Sequence, residues 1–124
     1  MLYNDFGIHS DLKANIAGLG YTEATPIQDL VLPHAIEGKD ISGLAQTGTG
    51  KTAAFLIPLI HRIFVSRDEN APEEFKKHAF KNWSDSSFVL CLVPTRELAQ
   101  QVADQAAKLS ANQKLNVVSA VGGE

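Results

Sequence analysis

Ala45-Gln46-Thr47-Gly48-Thr49-Gly50-Lys51-Thr52 stands between the short apolar run Ile41 to Ala45 and a stretch of helical length from Lys51 to about Phe64. Strand, glycine loop, helix is the context that a phosphate-binding loop requires. Successive backbone N–H groups from Gly48 to Thr52 would face one concavity, and the positive end of the new helix would add to its pull on phosphate. The glycines permit the tight path, Lys51 would reach the β- and γ-phosphates as a point charge, and the Thr52 hydroxyl would ligate Mg2+. Gln46, Thr47, Gly48, Thr49 and Gly50 would line the rest of the cradle. The first position of the usual pattern is glycine and here is Ala45, a departure of one methyl group. A Gly/Thr-rich surface loop with an exposed lysine is the bland alternative, and the strand-loop-helix context weighs against it.

Working outward, the flanks alternate between strand and helix character. Upstream, Leu12, Ile16 and Leu19 fall at helical spacing after Ser10, read as an N-cap, with Gly18 and Gly20 ending this first helix. Thr25-Pro26-Ile27-Gln28 reads as a capping box opening a second helix, which is expected to bend or break near Pro33. Glu37-Gly38-Lys39-Asp40 is turn chemistry before the strand Ile41 to Ala45. Downstream, Ser66 to Asp85 carries charges of mixed sign and reads as an exposed connection with a short helix around Pro72 to Phe80. Its aromatic residues Phe75, Phe80 and Trp83 are expected to pack against the domain.

Phe88 to Val93 is a continuous apolar run of strand length, expected as a central strand buried on both faces of a parallel sheet. Glu97 to Leu109 reads as a helix with Leu98, Val102, Gln105 and Leu109 along one side, and Val117 to Val121 as a third strand ended by Gly122-Gly123. The alternation implies an α/β fold with a mostly parallel sheet flanked by helices and right-handed crossovers. The last crossover lacks a covering helix, so the chain is expected to be the front part of a larger domain.

The 124 residues are 44% hydrophobic and 20% charged, the make-up of one globular domain at most. The single Cys91 can form no internal disulfide, and the start Met1-Leu2-Tyr3-Asn4-Asp5 lacks a signal-like basic and apolar pattern; a cytoplasmic protein is the expectation. The longest apolar run, Ala53 to Ile60, is interrupted by Pro58 and falls short of the about 20 residues a membrane-spanning helix needs. A net charge of -3 does not announce nucleic-acid binding, which must then arise from local sites. His9, His34, His61 and His78 show no metal-ligand spacing and read as structural or exposed.

Taken together in their order and separation, Gly20-Tyr21-Thr22-Glu23-Ala24-Thr25-Pro26-Ile27-Gln28, Ala45 to Thr52, and Pro94-Thr95-Arg96-Glu97-Leu98-Ala99 resemble the DEAD-box ATP-dependent RNA helicases. The resemblance runs from Phe6 to Gly123. It implies a RecA-like P-loop NTPase fold, incomplete in this chain, with ATP and Mg2+ as cofactors and RNA as partner. Residues 1-38 would form the Q-motif region, and residues 39-124 the P-loop and motif Ia region.

In that family the segment matching Gly20 to Gln28 recognises adenine. A glutamine amide offers one donor and one acceptor, which pair with adenine's N7 and N6 amino group and mismatch guanine's O6. Tyr21 matches the position whose ring packs on the base, and Phe6 an upstream aromatic supporting the same pocket. A capping Gln28 needs no ligand, so the helix-cap role stands beside the adenine role. Ala24 departs from the family's usual proline. Pro94, Thr95 and Arg96 match motif Ia, which contacts the RNA sugar-phosphate backbone. There Thr95 would supply a hydroxyl and Arg96 a guanidinium, with helix capping and a solvated charge as the plain alternatives. Gly122 and Gly123 match paired glycines that let the backbone approach RNA closely. Such contacts carry no sequence information.

Three elements of the family's machinery are not in this sequence: the acidic Asp-Glu-Ala-Asp tetrapeptide that holds Mg2+, the Ser-Ala-Thr motif, and the second RecA-like domain. The expectation is therefore the N-terminal part of the first RecA-like domain of an ATP-dependent RNA helicase, inactive by itself in hydrolysis and unwinding. The alternatives are a non-catalytic nucleotide- or RNA-binding fragment and another P-loop ATPase such as a DNA helicase.

Overall fold

The computed structural model describes residues 2–39, 51–84, 86–113 and 115–119. After a 3-10 turn at Tyr3–Asp5 come α1 (Ser10–Gly18), α2 (Pro26–Ile36), α3 (Lys51–Arg67), the single turn α4 (Glu73–Lys76) and α5 (Arg96–Leu109). The hub is α3, which packs against each of the other four helices and most extensively against α2. Its sequence explains this: Ala53, Leu56, Ile57, Ile60 and Phe64 recur at helical spacing and are all buried. Leu12 and Ile16 of α1, Leu32 and Ile36 of α2, and Val102 and Leu109 of α5 close the same core.

The helix ends depart from the expectations in two places. Ser10 is the first residue of α1 rather than its cap; the His9 side chain accepts the Asp11 N–H at 3.1 Å. An imidazole nitrogen does this job where the ring is locked by other contacts, as His9 is. Pro33 does not break α2, which runs on to Ile36, and Pro58 likewise lies inside α3. Each proline forfeits one backbone hydrogen bond, and burial of neighbours such as Leu32, Ile36 and Ile57 offsets that loss. The stop signals hold: Gly20 and Gly38, just past α1 and α2, have φ of +81° and +85°, a conformation that favours glycine.

Asn15 of α1 ties the end of α5 down, its Nδ2 donating to the Leu109 carbonyl at 2.7 Å and to Asn112 Oδ1 at 2.8 Å. In return, Asn112 donates to the Asp11 carbonyl and Gln113 to the Asp11 carboxylate, both at 2.9 Å. These bonds satisfy a helix C-terminus with side chains some 100 residues away in sequence, which no local pattern announces.

The largest departure concerns the sheet. The expected strand Ile41 to Ala45 lies outside the described residues, as do Ala120 and Val121 of the third. Among the described residues, the only β pairing is an isolated antiparallel bridge between Leu2 and Glu23. Phe88 to Val93, expected to be buried on both faces, shows no strand pairing, and Phe88, Leu90 and Leu92 are 82%, 72% and 85% exposed. Val117 and Val118 are also exposed. A strand's N–H and C=O groups are satisfied only by a neighbour, so an apolar run encodes a capacity for pairing and not the pairing itself.

Candidate functional site

Gln28 is the third residue of α2, and its side-chain oxygen accepts the Thr25 N–H at 3.1 Å, which is the glutamine half of a capping box. A backbone N–H can only donate, so this bond fixes which end of the amide is oxygen. The same oxygen accepts a hydrogen bond from the Tyr3 hydroxyl. Gln28 is only 1% exposed and Tyr3 5%. Burial, the leading cause, pushes the Tyr3 phenol above its ordinary value, so the hydroxyl keeps its proton and remains a donor.

Phe6, expected beside this pocket, is a core residue at 4% exposure whose ring centroid lies 6.4 Å from that of Tyr3. It is therefore Tyr3, three residues earlier, that reaches Gln28. Sequence reasoning misses Tyr3 because it sits in a three-residue turn with no periodicity and bonds to a residue 25 positions away. Tyr21 lies next to it, with ring centroids 6.3 Å apart, is 38% exposed, and accepts a hydrogen bond from Gln105 Nε2 of α5 at 3.3 Å. Of these three aromatics it is the one whose ring is open to a ligand. Ala24, where the family has proline, is buried in the core.

The phosphate-loop residues Gln46, Thr47, Gly48, Thr49 and Gly50 lie outside the described residues, as do Gly122 and Gly123. The helix after the loop forms as expected: α3 starts at Lys51 and Thr52 is its second residue, half-buried. A helix of 17 residues beginning there offers first-turn N–H groups and the positive end of its dipole, features that favour an anion. A lysine, a hydroxyl and the amides of a helix's first turn are the donor types that a Mg-nucleotide takes.

Pro94, Thr95 and Arg96 are exposed. Thr95 caps α5, its hydroxyl accepting the Leu98 N–H at 3.1 Å, and Arg96 is the first helical residue. The capping role of Thr95 is thus realised, and the exposed start of α5 keeps amide donors open to a phosphate. These three residues border an open groove of about 1000 Å3 that Leu56 and Ile60 of α3, Leu92 and Val118 also line.

A buried polar chain joins three histidines, His61 of α3 at its centre. His9 Nδ1 accepts the Asp11 N–H, so the ring proton sits on Nε2 and is donated to Asp68 Oδ2 at 2.9 Å. The His9 N–H in turn donates to His61 Nδ1 at 2.9 Å, leaving His61 protonated on Nε2, which donates to His78 Nδ1 at 3.0 Å. Phe64 and Phe75 pack edge-on against His9 and His61. Arg62 caps the outer end: its Nε donates to the His78 carbonyl at 2.9 Å and its guanidinium lies 4.2 Å from the Phe80 ring centre, with Trp83 stacked on Phe80. The charged connection therefore packs its aromatics on the domain, as expected, and among the described residues no cluster suited to a metal ion is found.

Burial, reinforced by the neighbouring His78, His9 and Arg62, lowers the His61 pKa from 6.5 to about 3, and burial also lowers that of His78. Below pH 6.5 the unfolded chain therefore takes up protons that the folded chain refuses. Stability is full above that value and falls as pH drops toward about 3, by about 1.4 kcal/mol per pH unit for each proton withheld. Urea midpoints measured between pH 7 and pH 4 are expected to fall steadily in the native chain and to flatten by about one proton in His61→Gln. Parallel curves for the two chains would contradict the buried neutral His61.

The family profile described as DEAD/DEAH box helicase matches residues 25–124, and the chain belongs to that family. It is 39% identical over 121 residues to the ATP-dependent RNA helicase CshA of Listeria monocytogenes, covering 98% of this chain and 20% of that relative. Similarity to the ATP-dependent rRNA helicase RRP3 of Candida albicans is 40% identity over 121 residues, with the same coverage of 98% and 20%. The crystal structure of the RNA helicase Prp28 from Chaetomium thermophilum bound to ADP matches the fold with a TM-score of 0.75 at 36% identity, covering 99% of this chain and 27% of that one. The family expected from the three motifs is thus the family found, with the helicase fold shared at the level of that match. The chain spans about a fifth of the length of the curated relatives it matches. No helix among the described residues is long and apolar enough to cross a membrane.

Proposed function

We propose that this chain is the ATP-binding front part of the first RecA-like domain of an ATP-dependent RNA helicase. The observation that carries the reading is the start of α3 on Lys51, directly after the glycine loop, on a helix packed along α2, whose third residue is Gln28. Gln28 and Tyr21 would bind adenine, while Lys51 and Thr52 hold the phosphates and Mg2+. When bound, ATP supplies the hydrolysable phosphoanhydride and Mg2+ the charge that neutralises it. Pro94, Thr95 and Arg96, with Gly122 and Gly123, would hold the RNA backbone without reading its sequence, which suits a protein of negative net charge.

The sheet belongs to the same proposal. Phe88 to Val93 and the segment from Val117 would be its strands once paired, and both border the apolar groove beside α3 and α5. The fold match to an ADP-bound helicase supports this reading.

Calorimetric titration of the chain with Mg-ADP and Mg-GDP tests the nucleotide assignment. ADP is expected to bind at least about fivefold more tightly than GDP, the difference a base-specific hydrogen-bond pair provides. Gln28→Ala should erase the preference. Gln28→Glu keeps an acceptor for the Thr25 N–H while removing the amide donor, and should erase it with the fold intact by circular dichroism. Equal affinities in the native chain would leave a phosphate loop with no base selectivity.

A further inference from the structure

We propose that the Tyr3 hydroxyl is an internal competitor for Gln28, a gate that adenine's exocyclic amino group must displace to reach the glutamine oxygen. The proposal rests on the reading of Gln28 as the adenine contact and adds to it a residue that sets how strongly adenine is taken.

A side-chain carbonyl oxygen has two lone pairs. On Gln28 both are committed, one to the Thr25 N–H at 3.1 Å and one to the Tyr3 hydroxyl. With Gln28 1% exposed, solvent does not compete for this oxygen. Adenine's amino group therefore gains an acceptor only when one of the two present donors leaves.

The two donors are not equally able to leave. The Thr25 N–H lies at the N-terminus of α2, and its withdrawal would fray a helix packed along α3. Tyr3 sits in a 3-10 turn of three residues near the chain start. That turn is tied to the rest of the chain's backbone by the Tyr3 N–H to the Thr22 carbonyl at 3.0 Å and by the isolated Leu2–Glu23 bridge. Tyr3 is thus the donor that moves. It also stands beside Tyr21, the exposed ring on which a base would pack, so the competitor lies at the place where the base arrives.

Displacement by adenine exchanges one hydrogen bond for another. Guanine presents an oxygen at the same position, so it gives no donor in return and gains nothing when the Gln28 oxygen is vacated. Removing the Tyr3 hydroxyl while keeping its ring should therefore favour adenine alone.

The test is titration of the native chain, Tyr3→Phe, Gln28→Ala and the double variant with Mg-ADP and Mg-GDP. Tyr3→Phe is expected to tighten Mg-ADP about fivefold, the worth of one neutral hydrogen bond no longer given up, and to leave Mg-GDP within about twofold. In the Gln28→Ala background the gain should vanish. As a second readout, the 13Cζ resonance of Tyr3, assigned by its loss in Tyr3→Phe, should shift on addition of Mg-ADP to the native chain. Unchanged or weakened Mg-ADP binding by Tyr3→Phe, no binding by either chain, or an unmoved Tyr3 resonance at saturation overturns the gate. The two readings fail differently: Gln28→Ala without effect on ADP preference removes the adenine contact, whereas an inert Tyr3→Phe beside an effective Gln28→Ala removes only the gate.

Discussion

Lys51→Ala is expected to lower RNA-stimulated ATP hydrolysis by about 100-fold or more, in a polypeptide joining this chain to the acidic element and second domain of its family. Charge builds on the transferred phosphoryl group and on the leaving oxygen in the transition state, and a fixed ammonium opposes it at no reorganisation cost. The α3 amides and Thr52 remain in the variant, so nucleotide binding should weaken less than hydrolysis, and the loss should fall mainly on kcat. Steady-state ATPase rates with and without RNA read the effect. Full activity in the variant would dismiss the phosphate-loop assignment, since no other lysine follows the glycine loop at that position.

Phe64→Ala should cost about 3–5 kcal/mol of folding stability, the range for deleting a fully buried ring. Phe64 is 0% exposed, lies on the hub helix α3, and packs edge-on against His9 at a centroid distance of 5.7 Å. Its loss opens a cavity in the core and removes a ring packed against His9, the cap of α1. Because whole domains are stable by only about 5–15 kcal/mol, the variant should be partly unfolded at room temperature. Leu30→Ala, at a residue 71% exposed on α2, should change stability by less than about 0.5 kcal/mol. Denaturant midpoints for the two variants provide the check, and equal shifts would mean that α3 is not the centre of the core.

Much of the helical layer is legible in the sequence because its signals are local. The capping box at Thr25 and Gln28, the Gly20 and Gly38 stops and the side of α5 built on Val102 and Leu109 all depend on residues within a turn or two of each other. The family is legible for the same reason: each of its motifs is written in a few consecutive residues, and the chain matches the family over residues 25–124. The failures have a different origin. Pro33 reads as a breaker because its local cost is visible and the packing of Leu32 and Ile36 that offsets it is not. Ser10 reads as a cap because serine commonly is one, whereas His9 caps α1 only because Asp68 and Phe64 hold its ring.

By itself, then, the sequence determined the family and the places of all five helices to within a few residues. Tertiary structure decided that Gln28 is sealed and bonded to Tyr3 rather than open, that three histidines form one buried hydrogen-bonded chain, and that Phe88, Leu90 and Leu92 lie exposed. The reason is one of range. Caps, turns and loop motifs are contracts between neighbours, while burial, proton position and strand pairing depend on which distant groups the folded chain brings within hydrogen-bonding or van der Waals reach.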